Sequence, residues 1–180
     1  MPQTPAPPRG TSTTDLAAVD PQPRPSALLR TLGCRLNQAE SDEIRSALAE
    51  QGLEPSANSP DVIVVNTCTV TAEASKASRK LIRRSIADHP RSKIVVTGCY
   101  AVAEPAAIAA IPGVDLIVPN QDKERLAARI VEEFSGGAVA VSVAPRVRAN
   151  LKIQDGCDEL CTFCIVPQTR GTLSSRTPDS

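Results

Sequence analysis

The sequence predicts an α/β fold with a doubly wound, mostly parallel sheet, because short apolar runs alternate with helix-length amphipathic segments. One of the runs, 61–66, is rich in β-branched residues, which is typical of a strand buried on both faces. The alternation repeats about every 30 residues, and parallel strands need a crossover helix between them. We therefore expect one α/β domain over residues 26–143.

The first crossover helix can be located by its flanks. It follows a short apolar strand at 27–32 and ends before Gly52. Its apolar face holds Ile44, Ala47 and Leu48. The later elements continue the alternation: a helix at 71–88 with the apolar stripe Ala74, Ala77, Leu81 and Ile82, strands at 93–97, 114–118 and 138–143, and helices at 105–111 and 121–134.

Composition separates the rest of the chain from this domain. Residues 1–25 hold seven of the sixteen prolines and almost no large apolar residues, so we expect a disordered tail. Residues 144–150 are interpreted as a linker. A strand at 151–154 and a cysteine-dense loop open a second unit over 151–180.

Composition and charge also exclude several classes of protein. Lys and Arg number 20, as do Asp and Glu, so no overall basic field indicates binding to nucleic acid or anionic membrane. One Tyr and two Phe are too few for a base-stacking platform. No apolar run approaches the roughly 20 residues of a membrane span, and no secretory signal follows Met1. We expect a cytoplasmic protein without membrane association.

Three cysteines recur at equivalent places in the repeat. Cys34, Cys68 and Cys99 each follow a predicted strand, at spacings of 34 and 31 residues. Parallel strands end at the same edge of a sheet, so we expect the three sulfurs along one carboxyl edge, where open α/β sheets hold ligands. Without a fourth cysteine or a nearby histidine, the set suits an iron–sulfur cluster with one open iron better than a closed zinc site. Three buried structural cysteines are the alternative.

The other three cysteines form a Cys-x3-Cys-x2-Cys loop, made of Cys157, Cys161 and Cys164. Three thiolates within eight residues can bind three irons of a 4Fe–4S cluster and leave the fourth iron free. A zinc site, the alternative, would need a further ligand nearby. This spacing is typical of radical S-adenosylmethionine enzymes, in which the methionine moiety binds the free iron.

Four motifs occur in order along the chain: Thr-Leu-Gly-Cys34-Arg-Leu-Asn-Gln-Ala-Glu-Ser, Val-Asn-Thr-Cys68-Thr-Val-Thr-Ala-Glu-Ala, Val-Val-Thr-Gly-Cys99-Tyr-Ala, and Lys-Ile-Gln-Asp-Gly-Cys157 with Cys161, Cys164-Ile-Val-Pro and Arg-Gly. Together they resemble the methylthiotransferases, radical S-adenosylmethionine enzymes that add a methylthio group to an unactivated carbon. The first two motifs are most similar to the tRNA enzymes that act on N6-threonylcarbamoyladenosine beside the anticodon. The isopentenyladenosine and ribosomal-protein branches of the family are the alternatives.

The resemblance implies an amino-terminal methylthiotransferase domain followed by the truncated start of a radical S-adenosylmethionine partial (β/α) barrel. Cys157, Cys161 and Cys164 would hold the 4Fe–4S cluster that binds S-adenosylmethionine and cleaves it to a 5′-deoxyadenosyl radical. An auxiliary 4Fe–4S cluster, which carries the sulfur to be inserted, would be held by the remaining cysteines, Cys34, Cys68 and Cys99.

The resemblance also implies partners: tRNA at its anticodon stem-loop, a sulfur donor, and a reductant such as flavodoxin or ferredoxin. We expect a monomer. A basic excess in residues 71–93 is interpreted either as a solvated helix face or as a contact with the tRNA backbone. Arg170, soon after the second cysteine loop, is expected to steady that loop or to approach a substrate phosphate.

The chain stops sixteen residues after Cys164, whereas a full α/β barrel has roughly 250 residues. We therefore expect a fragment that is inactive alone, with Ile153, Ile165 and Val166 exposed for lack of partners. Two other function classes stay open: a two-cluster electron-transfer or storage module, and a zinc-binding interaction module.

Overall fold

A computed structural model describes residues 25–134 and 150–178. Within the first range, five parallel strands form one sheet, which confirms the predicted fold class: β1 (Ser26–Thr31), β2 (Glu54–Pro55), β3 (Val62–Thr67), β4 (Lys93–Gly98) and β5 (Leu116–Val118). Their order across the sheet is β2-β1-β3-β4-β5. The expected tail up to residue 24, the strand predicted at 138–143 and the linker up to residue 149 lie outside the described residues.

The helices between the strands follow the prediction with two differences. They are α1 (Arg35–Glu50), α2 (Ala72–Asp88), α3 (Cys99–Ala103), α4 (Pro105–Ala109) and α5 (Leu126–Phe134). A 3-10 helix (Asn120–Arg125) precedes α5, so the helix predicted at 121–134 is divided in two. Two short elements were not predicted: the helix α3 and the two-residue edge strand β2. The proline in β2 weakens any strand signal. No described helix is long and apolar enough to cross a membrane.

The central strand β3 shows that the sheet is covered on both faces. Val62 and Val64 pack in one apolar cluster with residues of α1 and α5, including the predicted Ile44 and Leu48. Ile63 and Val65 pack in a second cluster with residues of α2, α3 and α4. Successive residues of a strand point to opposite faces, so this unbroken apolar run supplies two cores and the doubly wound arrangement is confirmed.

The buried face of α2 differs from the predicted apolar stripe. Ile82 is fully buried as expected, but Ala77 is exposed. Most of the buried positions are hydroxyl residues: Ser75, Ser78 and Ser85. A serine can be buried where its hydroxyl finds a hydrogen-bond partner, and each of these does, as described below for the first two. The stripe was misplaced because serine counts as polar in an apolar pattern.

The second described range contains β6 (Gln154–Asp155), α6 (Val166–Arg170) and β7 (Ser174–Ser175), with β6 and β7 paired antiparallel. The strand predicted at 151–154 is therefore displaced towards Asp155. Ile153 is exposed as expected. Ile165 and Val166 are half-buried, so the expectation that they would lack partners was wrong. The physical reason is that α6 packs against α3 and the 3-10 helix.

Candidate functional site

The structure places Cys34, Cys68 and Cys99 at the carboxyl ends of three neighbouring strands. Cys34 follows β1 and directly precedes α1, Cys68 directly follows β3, and Cys99 directly follows β4 as the first residue of α3. These strands are adjacent in the order β1-β3-β4. Cys34 is exposed and the other two cysteines are buried. The predicted cysteine edge therefore exists as a row of three thiols along one edge of the sheet.

Two glycines let the loops of the cysteine edge lie close together. Gly33 has a φ of 115°, and a Cβ there would lie 2.9 Å from the Cβ of Cys68. Gly98 has a φ of 100°, and a Cβ there would collide with the carbonyl oxygen of Thr67. A side chain at either position would be strained and would separate neighbouring loops. The two glycines therefore permit a close approach of loop to loop.

Hydrogen bonds from two neighbouring helices fix the chain around Cys68. The Ser78 hydroxyl on α2 accepts from the Cys68 N–H at 3.1 Å and donates to its carbonyl oxygen at 2.8 Å. The Ser75 hydroxyl pairs with that of Thr69 at 2.6 Å. On α1, the Asn37 side-chain nitrogen donates to the carbonyl oxygens of Leu32 at 2.7 Å and Thr67 at 3.0 Å. The buried polar residues therefore hold the backbone that leads into the cysteines.

The donor set of the edge consists of three thiols, which is the ligand chemistry of iron–sulfur clusters. Among residues 25–134 and 150–178, no three His, Cys, Asp or Glu side chains converge closely enough to hold one metal ion. Neighbouring strands lie about 4.8 Å apart, so thiols on three of them are spread along the edge. A cuboidal cluster presents a separate iron to each thiolate and does not need its ligands to meet at one point. Thiolates are also the ligands that hold such clusters.

The second cysteine loop lies between β6 and α6. Cys157 and Cys164 are half-buried and Cys161 is exposed. The Cys157 N–H donates to the Gly171 carbonyl at 3.2 Å, and the Cys164 N–H donates to the Cys161 carbonyl at 3.1 Å. Two large apolar residues of the loop, Leu160 and Phe163, are 86% and 92% exposed. The loop therefore exposes Cys161 together with two large apolar side chains.

A largely buried group of charges, not predicted from the sequence, connects this loop to α1 and the 3-10 helix. We call it the Glu40 cluster: Glu40, Lys123, Lys152, Asp155 and Arg170. Glu40 Oε2 lies 2.6 Å from Lys123 Nζ, and Glu40 Oε1 lies 3.1 Å from Lys152 Nζ and 2.8 Å from Arg170 Nη1. Asp155 Oδ1 lies 2.9 Å from Arg170 Nη1, and Asp155 Oδ2 lies 2.8 Å from Lys152 Nζ. Glu40 is 1% exposed.

The electrostatics of the Glu40 cluster keep its carboxylates ionised. Burial raises the pKa of Glu40, but the hydrogen bond from Arg170 and the charge of Lys123 outweigh it and lower the pKa to about 2. Burial likewise opposes ionisation of Asp155, and hydrogen bonds from Lys152 and Arg170 lower its pKa. Burial and the nearby charge of Arg170 lower the pKa of Lys123, although Glu40 raises it, so Lys123 is the least firmly charged of the three cations.

One signal in the sequence could have revealed the Glu40 cluster. Glu40 lies three residues after Asn37 and four before Ile44, so it belongs to the face of α1 that the helical period assigns to the core. A carboxylate on that face needs cationic partners. Those partners come from residues 83 to 130 positions away, and the sequence does not indicate such distant pairs.

Comparison with known proteins finds one matching family model and several relatives of this chain. A family model described as "Uncharacterized protein family UPF0004" matches residues 26–119, a range that contains the whole cysteine edge. The threonylcarbamoyladenosine tRNA methylthiotransferase MtaB of Bacillus subtilis is 42% identical over 172 residues, covering 83% of this chain and 37% of the relative.

Two other relatives show the spread of the similarity. The threonylcarbamoyladenosine tRNA methylthiotransferase MtaB of Aquifex aeolicus is 36% identical over 165 residues, covering 81% of this chain and 40% of the relative. The ribosomal protein uS12 methylthiotransferase RimO of Rhodospirillum rubrum is 34% identical over 157 residues, covering 81% of this chain and 35% of the relative. The chain thus spans 40% or less of the length of these curated relatives.

Proposed function

Because this chain belongs to the uncharacterized protein family UPF0004, we propose that it is part of a radical S-adenosylmethionine methylthiotransferase that modifies N6-threonylcarbamoyladenosine in tRNA. The observation that carries the proposal is the division of six cysteines into two sets of three. One set lies at the ends of adjacent strands, and the other lies within eight residues of one loop. An enzyme that joins a sulfur-carrying centre to a centre that activates S-adenosylmethionine needs two such sets.

The loop cysteines Cys157, Cys161 and Cys164 would hold the cluster that, when bound, supplies the electron for reductive cleavage of S-adenosylmethionine. The edge cysteines would hold the auxiliary cluster. Around them the chain's own residues orient and space the thiols: the glycines bring the loops together, and Ser78 and Asn37 fix the backbone. An external one-electron reductant, such as flavodoxin or ferredoxin, and a sulfur donor complete the proposed reaction.

A row of cations on α2 supports tRNA as the partner. Lys76, Lys80, Arg83 and Arg84 are exposed, and at about 1.5 Å per residue they extend about 12 Å along the helix. The helix begins four residues after Cys68, so the row leads away from the cysteine edge. A phosphate backbone laid along this row would place a nucleotide near the edge while neutralising the cations. A cytoplasmic location follows from the proposed tRNA substrate.

The names of the relatives favour threonylcarbamoyladenosine as the modified nucleoside, since that substrate is named for both MtaB proteins. The RimO relative, named for ribosomal protein uS12, makes a ribosomal protein the second candidate substrate. The two candidates differ in which macromolecule gains a methylthio group, so one experiment separates them.

The experiment is mass spectrometry of tRNA nucleosides and of ribosomal proteins from cells that lack the full-length gene encoding this chain. We expect loss of the methylthio form of threonylcarbamoyladenosine and accumulation of the unmodified nucleoside. A plasmid copy of the gene should restore the product, Glu43→Gln should restore it equally, and Cys157→Ala should not. Unchanged threonylcarbamoyladenosine with a loss of methylthiolated uS12 would favour the second candidate, and no change in either would contradict both.

A further inference from the structure

The Arg170 side chain occupies a junction between the two cysteine sets. It is 4% exposed, although it lies in a short helix at the surface of the domain. Its guanidinium donates to three acceptors from different parts of the chain: Glu40 Oε1 at 2.8 Å, Asp155 Oδ1 at 2.9 Å and Asn37 Oδ1 at 2.6 Å. Two of these acceptors belong to α1 and the third belongs to β6.

On the α1 side, these bonds reach the backbone of the cysteine edge. Asn37, which accepts from Arg170, donates through its nitrogen to the carbonyl oxygens of Leu32 and Thr67. Leu32 lies two residues before Cys34, and Thr67 directly precedes Cys68. The side chain of Asn37 therefore links Arg170 directly to the loops that carry Cys34 and Cys68.

The residues beside Arg170 extend this connection. The Thr169 carbonyl oxygen accepts from the side-chain nitrogen of Asn120 at 2.8 Å, and that nitrogen lies 3.9 Å from the sulfur of Cys99. The Gly171 carbonyl oxygen accepts from the N–H of Cys157. Residues 169–171 thus also contact Asn120, which lies beside Cys99, and the backbone of Cys157.

The chemistry of the guanidinium suits this position. It presents several N–H donors in one rigid plane, so it can bind separate acceptors in a fixed geometry, whereas a lysine ammonium offers a flexible point charge. Its main counter-charge, Glu40, is buried and cannot be left unpaired without a large penalty. The hydrogen bonds of Arg170 are therefore directional, and breaking its pairing with Glu40 carries a large free-energy cost.

We propose that Arg170 is a positioning residue that fixes the loop of Cys157, Cys161 and Cys164 against the cysteine edge and so sets the spacing of the two clusters. The functional part of this inference rests on the proposed function. The docking of this loop against the cysteine edge concerns only the chain's own residues and can be tested without iron.

The test is hydrogen–deuterium exchange of the iron-free 180-residue chain. Arg170→Lys keeps the charge and loses the planar fork, so exchange in residues 150–178 should quicken by roughly tenfold or more while β3 stays protected. The matched control is Arg176→Lys. Arg176 also joins this segment to α1, through Glu43 at 2.9 Å, but both side chains are more than a third exposed. We expect less than about a twofold change for it.

A second variant covers the case in which Arg170→Lys opens the whole domain and β3 also exchanges faster. Asp155→Asn removes a carboxylate on the loop side alone, and should quicken exchange in residues 150–178 with β3 unchanged. Equal exchange in wild type, Arg170→Lys and Asp155→Asn, or equal effects of Arg170→Lys and Arg176→Lys, would overturn the docking.

A spectroscopic readout tests the positioning role. In the anaerobically reconstituted, reduced chain, Arg170→Lys should keep the iron content but change how far each cluster broadens the electron paramagnetic resonance signal of the other. Arg176→Lys should leave both the iron content and this broadening unchanged. Unchanged broadening in the presence of both clusters would overturn the positioning role. A chain that binds no iron would contradict the proposed function and leave the exchange result standing.

Discussion

Replacing Ser78 by alanine tests the claim that a buried hydroxyl holds the loop of Cys68. Ser78 is fully buried and satisfies both the N–H and the carbonyl oxygen of Cys68, at 3.1 and 2.8 Å. Alanine fits the space and is the better helix former, but it leaves two buried backbone groups without this partner. At about 1–3 kcal/mol for each unsatisfied group, we expect the free energy of unfolding to fall by roughly 2–4 kcal/mol.

Urea denaturation followed by circular dichroism measures this change. The matched control is Ser46→Ala, a serine-to-alanine substitution at an exposed position of α1, for which we expect a change within about 0.5 kcal/mol. Iron bound at the edge cysteines should fall in Ser78→Ala and stay constant in Ser46→Ala. A loss of stability in Ser78→Ala no larger than in the control would refute the clamp on Cys68.

Two further predictions concern charge. The pKa of Glu40 is lowered from 4.5 to about 2 in the folded chain, so its ionised form contributes stability that is complete above pH 4.5 and is lost as the pH falls towards 2, roughly 3 kcal/mol in total. In acid denaturation, the Glu40→Gln variant should lack this pH-dependent contribution and the Glu43→Gln variant should retain it. Identical acid profiles for the wild type and both variants would contradict the pairing. On α2, Lys80→Ala and Arg83→Ala should each reduce the slope of log affinity for tRNA against log salt concentration by about one. The exposed Arg125→Ala on the 3-10 helix is the control, and equal slopes for all variants would exclude the α2 row as the contact.

The fold was predictable because its signals are local. The β-branched run of β3 and the helical periods around it required a sheet covered on both faces. Cysteines that follow three parallel strands, β1, β3 and β4, had to lie at the same edge. The same local reasoning found the four motifs, and the relatives named as methylthiotransferases confirm the resemblance drawn from them.

What the sequence did not indicate depends on distant partners. The serines of α2 are buried because their hydroxyls bind the loop after β3, a contact that hydrophobic periodicity cannot register. Arg170 was expected either to steady the second cysteine loop or to approach a substrate phosphate, and its bond to Asp155 fits the first of these expectations. Its bonds to Asn37 and Glu40, 133 and 130 residues away, could not be predicted. They explain why the segment around α6 is held against the domain.

The central claim is that this chain carries two iron–sulfur sites, and metal analysis tests it most directly. The anaerobically reconstituted chain should bind about eight irons if both sites form 4Fe–4S clusters. The triple variant Cys34→Ala, Cys68→Ala, Cys99→Ala should lose about half of the iron and keep the absorbance change on adding S-adenosylmethionine to the reduced protein. Loss of all iron in that variant, or stoichiometric zinc in the native protein, would contradict the account.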